Sequence, residues 1–252
     1  MRSTRNQWRP AGETVLGVWA HPDDEAYLSA GFMLRTISGG GRVVCLHATL
    51  GEHGTSDPEA WPPERLAAHR AVELEQSLNS LGVTERQMLG YRDGECASVP
   101  LAEVVGRLVD LMHEVRPDYV VTFGPDGITG HPDHVSVSQW VTTAWNVAGH
   151  GSLLYATTTK SFLREYADVH KRLDLLPPDA PAVSDDAVAW EVRLSEDELN
   201  TKRAALAAHA SQTEALASAM GERIYRRWYD TESFRLPSQA EIDAARAEMN
   251  VS

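Results

Sequence analysis

The sequence predicts an α/β protein with a Rossmann-like, three-layer fold, in which a mostly parallel sheet carries helices on both faces. Two observations predict this class. Short apolar runs of strand length alternate with longer runs of helical composition, and the strand-like runs are apolar throughout, as in strands buried on both faces. The 252 residues are enough for one such unit, so we expect a single domain over residues 1–252.

Strands and helices alternate most regularly up to residue 148. Strands are predicted over residues 14–20, 42–49, 88–91 and 119–123, and helices over residues 26–37, 64–81, 101–115 and 132–148. Pro132 falls in the first turn of the last of these helices, where proline is tolerated. Residues 51–63 are rich in glycine and proline and are predicted to form a long loop, a kind of segment that often carries function.

The pattern is less regular in the second half of the chain. Strands are predicted at 153–156 and 187–192, a linker at 175–181, and one long helix at 195–220. Ser195 followed by Glu198 three residues later predicts a capping box at the start of that helix. No element is predicted beyond about Gly221.

Composition and charge narrow the classes of function. Lys and Arg number 23 and Asp and Glu 36, so the net charge is −13. An acidic surface repels polyphosphate and anionic lipid, so we expect neither nucleic acid nor a membrane as a partner. No apolar run approaches the roughly 20 residues that span a bilayer, and the N-terminus is polar and basic, unlike a signal peptide. The sequence therefore predicts a cytoplasmic protein.

Two clusters of histidine and carboxylate follow predicted strands. The first is AHPDDE at residues 20–25, directly after the first strand, and the second is GHPDH at residues 130–134, after the strand at 119–123. In open α/β sheets, ligands bind beyond the carboxyl ends of strands near the point where the strand order reverses. A catalytic zinc ion takes about three nitrogen or oxygen ligands and keeps one position open.

Together the clusters supply His, Asp and His, a ligand set typical of hydrolytic zinc sites. His21 and Asp24 are three residues apart across a strand-to-helix turn, and His131 and His134 share one face of a helix start. On spacing alone, either His131 or His134 could be the third ligand. Each motif by itself could be a turn or a helix start, but two of them at equivalent places in a βαβ framework favour function.

The paired motifs carry a resemblance to a known family. AHPDDE and GHPDH resemble the two signatures of the PIG-L/LmbE-like zinc-dependent N-deacetylases, and the likeness extends to Arg70-x-x-Glu73, to GYRDG at 90–94 and to KRAALAAHASQ at 202–212. Within the family, the sequence is most similar to actinobacterial members such as the mycothiol-pathway deacetylase.

The resemblance implies roles for the histidines and for most of the carboxylates of the two motifs. It implies His21, Asp24 and His134 as zinc ligands and Asp23 as the general base, which would take a proton from a metal-activated water attacking the amide carbonyl. It implies His131 as a group that stabilises the oxyanion or donates a proton to the leaving amine. Asp133 is placed to orient a neighbouring histidine.

The resemblance also implies substrate contacts, and it includes one departure. Arg70 and Asp93 match positions that bind sugar hydroxyls in relatives, although Arg70 could equally pair with Glu73 or Glu75 on a solvated helix face. Thr129 occupies the position where mycothiol-type relatives carry tyrosine. A threonine hydroxyl cannot reach as far as a phenol, so the departure bears on the oxyanion contact and the substrate.

We therefore expect a zinc-dependent hydrolase that removes an acetyl group from the amide nitrogen of a small N-acetylglucosamine-type glycoconjugate. Two alternatives stay open: an amidase acting on a thiol conjugate or another small acylated amine, and a metal-binding module without catalysis. Iron(II) is a second candidate for the metal, because imidazole and carboxylate ligands suit several divalent ions. The expected partner is a small-molecule substrate, with self-association left open.

Overall fold

The computed structural model describes residue 8 and residues 10–177 and 179–249. Its strands are β1 (Thr14–Trp19), β2 (Arg42–His47), β3 (Glu85–Met88), β4 (Tyr119–Phe123), β5 (Ser152–Ala156), β6 (Trp190–Arg193) and β7 (Thr231–Arg235). Its helices are α1 (Asp24–Ser38), α2 (Pro63–Ser80), α3 (Leu101–Val115), α4 (Pro132–Ala148), α5 (Lys160–Glu165), α6 (Ala167–Leu173), α7 (Glu196–Ala208), α8 (Ala210–Met220), α9 (Glu222–Trp228) and α10 (Gln239–Met249).

The strands form one sheet in the order β3-β2-β1-β4-β5-β7-β6. Neighbours from β3 to β5 pair in parallel, whereas β7 runs antiparallel to both β5 and β6. The predicted Rossmann-like, mostly parallel fold is confirmed. The antiparallel pair extends the edge beyond β5.

The strand order reverses between β1 and β4. From β1 the chain winds outward through β2 to β3, then returns to β4 on the other side of β1, where Leu16 pairs with Val120. From β4 the chain continues to β5, on the side of β4 that faces away from β1. The carboxyl ends of β1 and β4 are therefore neighbours, and a crevice opens between the loops that leave them.

Helices cover both faces of the sheet. On one face α1 packs on β1 and β2 and contacts α7, while on the other α3 and α4 pack on β1 and on each other. The central strands are apolar because both faces are covered: Trp19 and Phe123 are fully buried and meet edge to face. In the described part of the chain, no helix is both long and apolar enough to cross a membrane.

The third strand lies earlier than predicted. The sequence predicts a strand at 88–91, but β3 spans Glu85–Met88 and shares only Met88 with that range. All four residues of β3 are exposed at the edge of the sheet, so no apolar run marks the strand. The apolar residues Leu89 and Tyr91 follow it and donate their backbone N–H groups to His47 and Ala48.

The predicted helix at 195–220 is in fact two helices. The Ser195–Glu198 capping box is present at its start, but the helix breaks at His209, where ψ is 44° and α7 gives way to α8. The His209 imidazole is fully buried and bonds to Glu25 in the first turn of α1. The break thus coincides with a long-range contact that cannot be read from local periodicity. Beyond Gly221, where no element is predicted, lie α9, β7 and α10.

Candidate metal centre

Both motifs lie at the reversal point of the sheet. β1 ends at Trp19, two residues before His21, and Asp24 is the first residue of α1. β4 ends at Phe123, and the loop that follows leads into α4, whose first turn carries His134. Because β1 and β4 are adjacent and parallel, residues distant in sequence meet in space.

Donor atoms of the three predicted ligands converge. His21 Nδ1 lies 3.2 Å from His134 Nε2, Asp24 Oδ1 lies 3.4 Å from His134 Nε2, and Asp24 Oδ2 lies 3.7 Å from His21 Nδ1. Donors of a tetrahedral zinc site with bonds of roughly 2.1 Å lie about 3.4 Å apart. The spacing therefore fits a small divalent ion without rearrangement.

Hydrogen bonds on the far side of each ring orient these nitrogens. His134 Nδ1 donates to the Gly127 carbonyl oxygen at 3.0 Å, and its ring stacks on Phe123 with centroids 4.1 Å apart. Gly127 has a φ of 64°, and a Cβ there would lie 3.0 Å from that of His134. The His134 proton is therefore on Nδ1, which leaves the Nε2 lone pair directed at His21 and Asp24.

His21 is oriented by two carboxylates. Its Nε2 lies 3.1 Å from Asp93 Oδ1 and 3.2 Å from Asp133 Oδ2, so the Nε2–H donates to them and Nδ1 is the nitrogen free to hold a cation. Burial would lower the pKa of His21, but hydrogen bonds to Asp133 and Asp93 outweigh burial and raise the pKa to about 10. The surroundings thus strongly favour positive charge at this point.

Asp133 is anchored from the opposite direction. Its carboxylate accepts the backbone N–H groups of Gly94 at 2.7 Å and of Cys96 at 3.2 Å, and the side chain is fully buried. Burial would raise the pKa of Asp133, but hydrogen bonds from His21 and Gly94 outweigh it and lower the pKa. The histidine that Asp133 contacts is thus His21, from the other motif.

His131 caps the helix that carries His134. Its Nδ1 accepts the backbone N–H of Asp133 at 3.2 Å, so the proton of the neutral ring is on Nε2. The ring centroid lies 4.8 Å from that of His21 and 5.1 Å from that of His134, and the side chain is exposed. Burial of the ring and the neighbouring His21 lower the pKa of His131. The result is a neutral N–H donor at the edge of the site.

Donor atoms of His21, His131 and His134 lie within 4.8 Å of one another, as do those of His21, Asp93 and Asp133. The second set uses the nitrogen of His21 that faces away from Asp24. In the first set, His131 Nδ1 is already occupied by a backbone N–H. Hydrogen bonding thus favours His134 over His131 as the third candidate ligand, a choice that spacing in the sequence leaves open.

Asp23 lies beside these groups in an unusual conformation. Its φ is 111°, a value that costs a non-glycine residue about 1–3 kcal/mol. Burial raises the pKa of its carboxyl group to about 7, against the influence of Arg70 Nη2, which lies 3.7 Å from Asp23 Oδ2. A carboxyl group of this pKa can gain and lose a proton near neutral pH.

Arg70 is buried, so the predicted alternative of a surface ion pair is wrong. Its side chain donates to the carbonyl oxygens of Gly51 and Pro22, and a Cβ on Gly51 would overlap the guanidinium. Glu75, one of the two expected partners, pairs with Arg86 instead. The guanidinium fastens α2 to the turn that carries Asp23.

A buried network behind Asp23 was not predicted. Glu25, the last residue of the first motif, accepts the Asp23 backbone N–H at 3.0 Å. The same carboxylate accepts hydrogen bonds from His47 at 3.1 Å, Ser77 at 3.1 Å and His209 at 2.9 Å. Burial would raise the pKa of Glu25, but His209 and His47 hold it well below the usual range. Glu25, the third acidic residue of the motif, was the only sign of this network in the sequence, because the residues that bond to it are far apart along the chain.

A cavity of about 510 Å³ starts at Asp24 and His134. Thr129 also lines it, with Oγ1 3.5 Å from His134 Nδ1, whereas Arg70 and Asp93 do not. From the donor atoms the cavity extends away between α1, α5 and the end of α9. It is large enough for a small organic molecule.

Comparison with known proteins identifies the family of the chain. The family described as PIG-L, GlcNAc-PI de-N-acetylase, matches residues 16–145, just over half of the chain. The 1D-myo-inositol 2-acetamido-2-deoxy-alpha-D-glucopyranoside deacetylase 2 of Catenulispora acidiphila is 32% identical in an alignment 241 positions long, and the match covers 79% of this chain and 79% of that protein.

Solved structures share the fold. The N,N'-diacetylchitobiose deacetylase of Pyrococcus horikoshii superposes with a TM-score of 0.62 at 23% identity, covering 89% of this chain and 84% of its own. GalB, the 4-carboxy-2-hydroxymuconate hydratase of Pseudomonas putida KT2440, superposes with a TM-score of 0.59 at 15% identity, covering 90% and 97%. The fold by itself thus accommodates more than one reaction, and the chemistry has to be argued from the site.

Proposed function

The chain belongs to the PIG-L family of GlcNAc-PI de-N-acetylases, and from that membership we propose that it is a metal-dependent hydrolase that removes the acetyl group from a small N-acetylglucosamine-type glycoconjugate. The observation that carries the proposal is the convergence of His21 Nδ1, His134 Nε2 and the Asp24 carboxylate beside Asp23. Convergent donors next to a carboxyl group of neutral pKa suit metal-assisted hydrolysis better than a purely structural metal site.

His21, Asp24 and His134 would hold the metal, for which we propose zinc. Two imidazole nitrogens and one carboxylate form a set that zinc, and also iron(II), accepts. When bound, such an ion supplies Lewis acidity, which makes an amide carbonyl more electrophilic and water more acidic. Asp133 and Asp93 keep His21 Nδ1 turned toward the site, and the Gly127 carbonyl does the same for His134 Nε2.

Asp23 would act as the general base. Its carboxylate accepts a proton from the attacking water and, once protonated, can pass that proton to the departing amine. Its pKa of about 7 suits both steps. Arg70 and Glu25 hold the residue from two sides, through the turn carbonyl at Pro22 and the Asp23 backbone N–H.

His131 would act from the other side of the reacting carbonyl. Its Nε2–H is a neutral donor that can stabilise the oxyanion or protonate the leaving nitrogen. Thr129 lies at the cavity wall with a short hydroxyl that bonds locally, so His131 is our candidate for the main protein donor. Contact of Arg70 and Asp93 with sugar hydroxyls stays a prediction, and their present bonds favour orienting roles as well.

The test is acetate release by protein stripped with a chelator and then given zinc or iron(II). Substrates should include N-acetylglucosaminyl-inositol and simple N-acetylglucosaminides, with acylated amines that are not sugars as the comparison. We expect metal-restored release from the glucosaminides. Release only from the other amides would assign the amidase alternative, and one equivalent of bound zinc without any release would refute catalysis.

A further inference from the structure

The cavity that starts at the candidate ligands is of mixed character. Polar and apolar side chains both line it, and one part of its wall is formed by a group of aromatic and aliphatic side chains. These are Tyr27, Leu28, Phe162, Tyr166, Leu216 and Trp228, which we call the distal wall. Phe162 lies at the centre of the aromatic part, with its ring 5.1 Å from that of Tyr166 and 5.9 Å from that of Trp228.

Polar atoms of the distal wall are used within the protein. The Trp228 indole N–H donates to His170 Nε2 at 3.0 Å, and the Tyr27 hydroxyl bonds to that of Tyr225 at 2.7 Å. Both side chains therefore offer ring surface to the cavity. Trp228 meets Tyr27 edge to face at 5.8 Å, so the rings of the distal wall are fixed by one another.

Three of the charged side chains that line the cavity, Glu165, Arg227 and Glu232, form ion pairs, and Glu191, Arg193 and Asp230 line it as well. Arg227 bonds to Glu165 at 3.0 Å. Glu232 accepts from Lys202 at 2.7 Å and from the backbone N–H groups of Gly31 and Phe32. Burying an apolar group against aromatic rings that are already fixed in place is favourable.

We propose that the natural substrate carries an apolar group, aromatic or branched, that occupies the distal wall while the scissile amide lies at Asp24 and His134. The inference rests on the proposed function, because it takes the amide to be bound at the candidate ligands. The apolar group is attached to one side of the amide, either through the acyl carbon or through the amino sugar. In both cases, the chain hydrolyses amphipathic amides faster than small polar ones.

Matched substrates test the proposal with the zinc-loaded protein. One arm compares methyl N-acetylglucosaminide with its 4-phenylbutyl counterpart, and the other compares N-acetyl with N-phenylacetyl in the methyl glucosaminide. We expect kcat/KM to rise about tenfold or more in one arm. The arm that responds identifies the side of the scissile bond that faces the distal wall.

Variants locate the effect. Phe162→Ala should bring the ratio of kcat/KM between the apolar and small substrates of the responding arm toward one, and Phe162→Leu should retain part of it. Val147→Ala, at an exposed residue of α4 outside the cavity, should leave the ratio unchanged. Thermal unfolding of each variant confirms that comparisons are made on folded protein.

Failures of the two proposals are distinguishable. If all substrates are hydrolysed and kcat/KM is equal within each arm, the proposal of an apolar group is refuted. The proposed deacetylase function is not affected by that result. If no substrate releases its acyl group, binding still decides: in one of the two arms, the Kd of the apolar substrate, measured by calorimetry, should be about tenfold or more below that of the small substrate. Equal Kd values in both arms overturn the inference.

Discussion

Asp23 combines backbone strain with an unusual electrostatic environment. A φ of 111° is unfavourable for aspartate, and three neighbours hold the residue there: Glu25 through the backbone N–H, Arg70 through the carboxylate, and the turn at Pro22. Backbone strain at a functional position persists when surrounding contacts determine it from several sides. At Asp23 those contacts come from α1 and α2.

The pH dependence of turnover should report Asp23. Burial raises its pKa to about 7, so the proton-accepting carboxylate is present above that pH and lost below it. A bound cation favours the carboxylate and moves the midpoint downward. We therefore expect kcat/KM of the zinc-loaded protein to fall about tenfold per pH unit on the acid side of a midpoint at or below about 7. Residual activity of Asp23→Asn should lack this acid limb, and an unchanged limb would contradict the assignment.

Among individual residues, the sequence predicts which side chains of the two motifs lie close together. It does not predict the hydrogen-bond partners that orient them. The two motifs place His21, Asp24 and His134 at neighbouring strand ends, and their donor atoms do converge. Which nitrogen each ring presents depends on the Gly127 carbonyl and on Asp93 and Asp133, contacts that only the folded loops define. The roles of these residues in a reaction stay predictions.

The break between α7 and α8 joins the second half of the chain to the candidate site. His209 donates to the buried Glu25 carboxylate, and Glu25 raises the pKa of His209 although burial alone would lower it. Removing one partner of a buried, hydrogen-bonded pair leaves the other charge without compensation.

His209→Ala should therefore lower the free energy of unfolding by about 3–5 kcal/mol. It should also reduce turnover of the folded protein, because Glu25 holds the Asp23 backbone. His209→Gln, which keeps a donor, should lose less of both. Urea denaturation and acetate release measure the two effects, with His113→Ala on the exposed face of α3 as a control expected within about 0.5 kcal/mol of the parent. Equal stabilities of His209→Ala and the parent would show that the contact contributes nothing.

Arg35 and Glu198 join α1 to α7. Arg35 Nε and Nη2 donate to the two Glu198 oxygens at 2.7 and 3.0 Å, and this hydrogen bonding lowers the pKa of Glu198 to about 2. A depressed carboxyl pKa stabilises the fold above the unfolded-state value of about 4.3 and ceases to do so as pH falls through the folded value.

Glu198→Gln should lower the free energy of unfolding by about 1–2 kcal/mol at pH 7, a figure reduced for the partial exposure of the pair. The difference from the parent should shrink below about pH 4 and vanish near pH 2. Denaturation curves at several pH values test this, with Glu85→Gln in the exposed pair with Arg42 as the control of smaller effect. A difference that stays constant with pH would rule out the ion pair as its origin.

At the scale of elements, periodicity succeeds where burial is one-sided or complete. The helix predicted at 101–115 coincides with α3, because its buried residues recur at helical spacing. Periodicity fails at β3, which is an exposed edge strand. It also fails at His209, where the helix ends at a residue that bonds to Glu25 of the distant helix α1. β7 was not predicted because its alternation of buried and half-buried residues is short.

For the whole molecule, the doubly wound arrangement would couple metal binding to folding. The candidate ligands lie in the turn after β1 and in the first turns of α1 and α4, so an ion bound to them would link both halves of the central sheet. A ligand that binds only the folded state stabilises it by about 4 kcal/mol at a thousand times its Kd.

Saturating zinc should therefore raise the Tm of chelator-treated protein by roughly 8–16 °C. Calorimetry at fixed protein concentration measures the shift. Asp24→Ala should abolish most of it, while Asp243→Ala on α10 should respond like the parent. A shift of equal size in Asp24→Ala would place the stabilising metal elsewhere.

The mostly parallel sheet followed from the alternation of elements, whereas the strand order that makes β1 and β4 neighbours comes from the structure. The antiparallel extension by β7 and β6 did not, because strands that join an edge out of order leave no pattern in the sequence. The distal wall was equally hidden, since it gathers side chains from α1, α5, α8 and α9.

The most direct measurement combines metal content with acetate release for the parent and for Asp23→Asn, both loaded with zinc. We expect one zinc per chain in each protein and a loss of turnover of about 10²–10⁴-fold in the variant. Full activity of Asp23→Asn with its zinc retained would show that this carboxylate does not transfer the proton beside a metal held by His21, Asp24 and His134.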